Sequence, residues 1–417
     1  MTTVAPQYNV SLATQRQQQA LSERIGFGGF ALALYAFALT LTQATDYWRI
    51  ATAVAVLAPL AFLFRPRIER WHFTFGMFCL VGFIVWIWIS ALLSQYPEAA
   101  FHATFYLTQV YAFLILTVLL VRSSHMVPFL LKAITLGCLA LSCATVILGL
   151  EALEGFGPRA LGVARQENAL GHTLAYGWAA SFILWFAVRR HWRLIVAANL
   201  VAAIVALVAS GSRGAAVMVA VVVVSFVLLE YVKNIRANFK VILPALLTVA
   251  AVPLLLIRFF PDNPIVSRFT RLLQDGIGAS EMARLELIQH AWGLFLSNPV
   301  FGTGAGTLIF THGRFTNTHT SYMELLYSGG IVAFVLHYAL VAYVFLSIGR
   351  IKKFYINNIA GHRYLSAMQA FVVGWVALGF FVPAARSRIG TLIFGIILAV
   401  TMRYIYLLIK QRQAARQ

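Results

Sequence analysis

The 417-residue chain is 61% hydrophobic and 11% charged, with a formal net charge of +19 and a mean hydropathy of +0.81. Soluble domains carry roughly 25% charged residues, so the composition excludes an ordinary water-soluble fold and points to an all-α, polytopic membrane protein. The basic excess adds attraction for anionic membrane lipids, as positive loops do in such proteins generally, and identifies no other partner.

Residues 1–26 are polar and Gln-rich ("ATQRQQQALSER") without a cleavable signal pattern, and read as a cytoplasmic tail. A single transmembrane domain is expected over 27–409, followed by a short cytoplasmic tail at 410–417. Apolar runs of about 17 to 25 residues, the length that crosses a bilayer as helix, recur about twelve times. Their approximate limits are 27–45, 48–64, 72–95, 101–121, 126–150, 169–188, 194–210, 214–231, 241–257, 321–348, 364–383 and 390–409. The long break, 258–320 between the ninth and tenth spans, is mixed in character and expected to hold functional elements.

Lys and Arg set the orientation. Arg65, Arg67, Arg70, Arg122, Arg189, Arg190, Arg193, Lys233, Lys240, Arg350, Lys352, Lys353, Arg363 and Lys410 fall on the side of the termini, which is cytoplasmic by the positive-inside rule. The opposite side carries Arg49, Arg159, Arg165, Arg213, Arg258, Arg268, Arg271, Arg284, Arg314, Arg386 and Arg388 and no lysine, while Lys132 lies within a helix. A planar fork suits bidentate recognition of phosphate or carboxylate, so the set points to a polyanionic ligand; helix-end snorkelling is the plainer alternative. Cys79, Cys138 and Cys143 lie in apolar helices and read as buried small hydrophobes. Neither a metal-binding nor a nucleotide-binding pattern occurs, and no cofactor, metal, nucleotide or nucleic-acid partner is expected.

Four outward segments concentrate polar residues. "GPRALGVARQENALGHTLAYG" places Arg159, Arg165, Glu167, Asn168 and His172 at the entry to the sixth span. "SGSRGAAV" holds Arg213 in a tight turn between very apolar helices, where a hairpin could turn on Gly and Ser alone. In "ARLELIQHAWGLFLSNPVFGTGAGTL" the helical spacing of Leu285, Ile288, Trp292 and Leu296 predicts an amphipathic helix along the membrane face, with Arg284 at its start. His290 there is expected to meet water or lipid headgroups, and "NPVFGTGAG" to form a flexible loop, a weak signal for a phosphate cradle.

The fourth segment is "FTNTHTSYMELLYSGGIVAF". On one continuous helix, positions 319, 323, 326, 330, 333 and 337 share a stripe, which would set His319 at the outer end of a rigid helix packed closely through Gly330 and Ala333. A neutral imidazole at that boundary could take a proton from a hydroxyl nucleophile near pH 7. His337, deeper on the stripe, reads as a satisfied membrane histidine, and Glu324, off it, as an arginine partner.

"THTSYMELLYSGGIVA" resembles the histidine motif of the O-antigen ligase and polymerase family of bacterial membrane glycosyltransferases, a His-Asn or His-Ser pair followed by Tyr-Leu-Gln-Leu-Leu-Ala-Glu-Leu-Gly and a second glycine. His319, Tyr322, Leu325, Leu326 and Gly330 match in register. Thr320 replaces Asn or Ser, Glu324 stands in the Gln slot, Ser328 in the Glu slot, and Ala333 replaces the second glycine. "GSRGA" is similar to the family's Ser-Arg-Gly turn, the Arg284 segment to its Arg, helix, Pro-hydrophobic-Gly-x-Gly element, and "PRALGVARQENALG" to its Arg-x-x-Gly segment ending in Asn, so the likeness covers roughly residues 155 to 335.

The resemblance implies a GT-C-like enzyme of the bacterial inner membrane. Such an enzyme takes a glycan from undecaprenyl diphosphate on the periplasmic face and, as a ligase, places it on lipid A-core without metal. It casts His319 as general base and Arg213 and Arg284 as the grip on the diphosphate. Arg159, Arg165, Asn168, Arg268, Arg271, Arg314 and Tyr322 then contact donor or acceptor. Two readings stay open: a polymerase using the same donor, and a flippase or transporter, for which related halves with interrupted helices would be expected.

Overall fold

The computed structural model describes residues 25–45, 47–64, 68–153, 167–232, 279–313 and 317–414, with Phe239 and Leu243 besides. Among these the regular elements are helical. In chain order they are α1 (Phe27–Thr42), α2 (Trp48–Ala55), α3 (Leu57–Phe64), α4 (Phe75–Leu92), α5 (Pro97–Leu120), α6 (Met126–Leu153), α7 (Glu167–Trp185), α8 (Arg190–Ser210) and α9 (Arg213–Tyr231). They continue with α10 (Ala279–Ser297), α11 (Leu308–His312), α12 (Ser321–Lys352), α13 (Ile359–Leu378) and α14 (Arg388–Ala414).

Among the described residues, 7 helices are long and apolar enough to cross a membrane, within α4, α5, α6, α8, α9, α12 and α14. Over the described residues the chain is thus all-helical and multi-pass, and the expected count of twelve spans is met only in part. The first span is a helix of 16 residues, and the second is two helices of 8 residues each, α2 and α3, interrupted at Val56. The sixth and eleventh expected spans are the more polar α7 and α13. The span expected at 241–257 lies outside the described residues apart from Leu243, as do 1–24 and 258–278.

A continuous apolar core runs through the bundle from Leu32 to Met402. α1 packs on α6; α7 on α6, α8 and α9; α9 on α13; α12 on α4 and α13; and α5 on α4 and α14. Hydroxyls within it close on the backbone, as Thr40 Oγ1 does on Ala36 O at 2.7 Å and Thr145 Oγ1 on Leu141 O at 2.8 Å. Asn199 Nδ2 donates to Ser181 Oγ at 2.6 Å, and that hydroxyl lies 2.9 Å from Thr135 Oγ1, a polar tie across α8, α7 and α6. Cys79 and Cys138 are buried as expected; Cys143 is exposed, because it faces outward from α6.

The continuous helix expected over 321–348 is broken. Gly330 takes φ 66° and ψ −168°, a conformation essentially confined to glycine. In hydrocarbon a freed backbone group left unbonded costs several kcal/mol, so the break needs partners. They come from "NPVFGTGAG": Thr303 N donates to Tyr327 O at 2.7 Å, Gly304 N to Ser328 O at 3.1 Å, and Ile331 N to Pro299 O at 2.8 Å. Trp86 Nε1 donates to Gly329 O at 2.8 Å and Ser90 Oγ to Ser328 O at 2.6 Å, both from α4.

The glycine-rich segment is therefore an inserted loop committed to α12, with Phe301 stacked on Trp86 at 5.1 Å, and not the flexible loop expected from its composition. A Cβ on Gly330 would collide with the Val300 carbonyl oxygen. Gly330→Ala should lower the thermal unfolding midpoint of detergent-extracted protein, with a backbone cost of about 1–3 kcal/mol before the collision is counted. An unchanged midpoint would show that the break stores no such constraint.

Candidate active site

The turn from Asn317 to Thr320 carries His319 into α12. Thr320 is the N-cap: its Oγ1 accepts from Met323 N at 3.2 Å, one of the donors that a helix start leaves unpaired. Thr318 Oγ1 donates to Thr320 O at 3.0 Å, and Asn317 Oδ1 accepts from His319 N at 3.1 Å. Ser321 docks the turn on the end of α13, its N–H donating to Gly379 O at 2.7 Å and its Oγ to Val382 O at 3.0 Å.

His319 has φ 55° and is the one non-glycine residue with positive φ among the described residues. A left-handed backbone costs a side chain about 1–2 kcal/mol, and it persists where neighbouring bonds over-determine it. His319 thus precedes the cap rather than crowning the expected helical stripe. Ala333 is fully buried, and His337 Nδ1 lies 2.8 Å from Tyr111 Oη, a satisfied histidine as expected.

Arg284, near the start of α10, lies close enough to this turn for its charge to act on His319. The His319 imidazole is held below the ordinary histidine value of 6.5, by burial first and then by the charge of Arg284. The ring is therefore neutral at pH 7 and can accept a proton. Arg284 also acts electrostatically on His172 of α7.

The α8–α9 turn closes on the same region. Gly211 ends α8 at φ 68°, Ser212 is the N-cap of α9, and Arg213 is its first residue. A Cβ on Gly214 would lie 3.6 Å from His172 Nε2 and 2.9 Å from Phe381 Cβ, which shows how closely α9, α7 and the segment after α13 meet. Arg213, Arg284 and His319 are each half-buried.

Other expected site residues divide into three kinds. Asn168 is exposed at the second residue of α7. Arg159, Arg165, Arg268, Arg271 and Arg314 lie outside the described residues. Tyr322 donates its hydroxyl to Val376 O at 2.8 Å and stacks on Tyr338 at 5.3 Å, which ties α12 to α13.

Among the described residues, three of the outward arginines have protein partners of their own. Arg386 Nη2 lies 2.8 Å from Glu324 Oε1, an ion pair off hydrogen-bond alignment, so Glu324 is an arginine partner as expected. Arg388 Nη1 donates to Thr52 Oγ1 at 3.4 Å, with its guanidinium 5.4 Å from the Tyr106 ring. Arg49 lies 5.8 Å from the Trp48 ring.

On α10, Leu285, Trp292 and Leu296 are exposed while Leu287 and Ala291 are buried against Leu308 and Tyr327, so apolar residues occupy both faces. That suits a helix lying in a membrane interface. His290, expected to face water or headgroups, instead has Nε2 3.0 Å from Thr311 Oγ1 and its ring 5.4 Å from that of His312, because α11 folds back on α10.

The sequence places His172 only among the polar residues entering the sixth span, and Arg386 only among the outward arginines taken together for an anionic ligand. Their signal was faint: a histidine on an otherwise apolar helix, and an arginine in a short loop 62 positions from its carboxylate partner, a separation no periodicity reveals.

Residues 198–338, which hold Arg213, Arg284 and His319, match a family model described as O-antigen ligase. No curated protein matches the chain.

Proposed function

We propose that the chain, a member of the O-antigen ligase/polymerase family through residues 198–338, acts as the ligase. It would transfer a glycan from undecaprenyl diphosphate to a sugar hydroxyl of lipid A-core at the periplasmic face of the inner membrane, with both termini cytoplasmic. The observation that carries this reading is the pairing of a neutral His319 with Arg284 inside the matched segment. One can accept a proton while the other meets a departing anion.

In the proposed step, His319 takes the acceptor hydroxyl proton as that oxygen attacks the anomeric carbon. The new glycosidic C–O bond forms as the bond from the anomeric carbon to the diphosphate oxygen breaks, with inversion. The undecaprenyl diphosphate leaves with the bonding electrons and its growing charge meets Arg284 and Arg213. Half-buried guanidinium forks beside that charge would stabilise it with little reorganisation, the logic of an oxyanion site. Asn168, with Arg159, Arg165, Arg268, Arg271 and Arg314, would contact donor or acceptor.

The polymerase reading differs only in the acceptor, a second carrier-linked repeat. A deletion strain separates the two. Long unligated chains on the carrier are expected for a ligase; lipid A-core bearing a single repeat would instead assign the chain as a polymerase.

A further inference from the structure

We propose that Glu324 is the positioning residue for His319, acting through the backbone of Thr318 and anchored by Arg386. The proposal rests on the reading of His319 as base and adds the device that fixes its place. Glu324 is 4% exposed and sits in the first turn of α12, facing the turn that precedes it. Its Oε2 accepts from Thr318 N at 3.2 Å, so the carboxylate grips the residue directly before His319. Its Oε1 accepts from Tyr327 Oη at 3.2 Å and meets Arg386 Nη2 at 2.8 Å.

Three elements are thereby tied at one carboxylate: the His319 turn, the first two turns of α12, and the 3-10 turn Ala384–Arg386. Arg386 is itself held, its carbonyl accepting from Tyr106 Oη of α5 at 3.3 Å. Its guanidinium is buried and its pKa is raised: burial works against the charge, and Glu324 is the first of the groups that more than offset it. A buried carboxylate is costly unless paired, and this one spends its capacity on the turn and on its counter-ion. Arg386 accordingly serves Glu324 and not the substrate diphosphate.

The grip matters because His319 sits in a left-handed conformation. Loss of the Thr318 bond would let the peptide relax and carry the imidazole away from its place, and a displacement of about 1 Å costs on the order of 10²-fold in rate. Glu324 touches no reacting atom in this scheme. Its influence passes through Thr318.

Single substitutions would leave a buried charge unpaired and risk misfolding, so the test uses two charge-free pairs. Glu324→Leu with Arg386→Met removes both charges and the acceptor for Thr318 N–H. Glu324→Gln with Arg386→Met removes both charges and keeps an amide oxygen there. With both purified and folded by thermal unfolding, the Leu pair should lose on the order of 10²-fold in kcat with KM for the lipid-linked donor within about twofold, and the Gln pair should recover most of that loss.

Hydrogen exchange over residues 317–320 reads the turn independently of the chemistry and should be faster in the Leu pair than in the Gln pair. Equal kcat and equal exchange in the two variants would overturn the proposal. Faster exchange in the Leu pair with transfer unchanged would uphold the tie and fault the His319 base assignment instead.

Discussion

His319→Ala is expected to lower glycan transfer by about 10²- to 10⁴-fold, the usual contribution of a positioned general base. His319→Asn should lose as much, and it makes the stronger variant because asparagine tolerates the left-handed backbone that His319 adopts. Neither change touches the bonds that hold the turn through Asn317, Thr318 and Ser321 side chains, so detergent-extracted protein should unfold near the wild-type midpoint. Initial rates with a polyprenyl-diphosphate glycan and lipid A-core acceptor decide it. Near wild-type transfer by either variant would remove the base from the mechanism.

Arg284→Gln carries the second large effect, with two separable signatures. Losing one preorganised donor at developing charge costs about 10²- to 10³-fold in kcat. Arg284→Lys should recover part of that, keeping the charge but not the fork. The pH profile supplies the second signature. A base acts in its unprotonated form, and burial with Arg284 holds the His319 pKa below the ordinary 6.5. Wild-type kcat/KM should therefore hold as pH falls through 6.5 and drop only at the lowered value. Without the positive charge of Arg284 the imidazole protonates more readily, so in Arg284→Gln the acid limb should move upward while burial still keeps it under 6.5. An acid limb that stays in place would show that Arg284 does not act on the reacting histidine.

The two effects rest on residues the sequence already displayed, for chemical reasons. A histidine beside a capped, apolar helix and an arginine opening an amphipathic one are local signals. They survive because both segments begin as helices where those residues stand, α12 directly after the His319 turn and α10 with Arg284 near its start. What defeated the linear reading was everything set by backbone dihedrals or by distant contacts. A stripe drawn from 319 to 337 assumes uniform helix, and nothing in 3.6-residue periodicity signals that Gly330 turns to φ 66°.

The partner of that break could not be read either. "NPVFGTGAG" has the composition of a flexible loop, yet its N–H groups serve carbonyls of α12, a demand visible only once both segments are in place. Tyr322 illustrates the same limit: its register within the motif was legible, while its hydrogen bond to Val376 was not. The arginines were over-read in the other direction. Side of the membrane does not separate a ligand-facing guanidinium from one neutralised by Glu324, as Arg386 is.

Purified wild-type protein in detergent decides the claim that this protein makes a glycosidic bond. Supplied with an undecaprenyl-diphosphate glycan and lipid A-core, and with no energy source, it should yield glycan covalently joined to lipid A-core together with free undecaprenyl diphosphate in equal amount. Donor recovered intact, with no new bond and with carrier moved across the bilayer in reconstituted vesicles, would contradict the claim and make the protein a transporter.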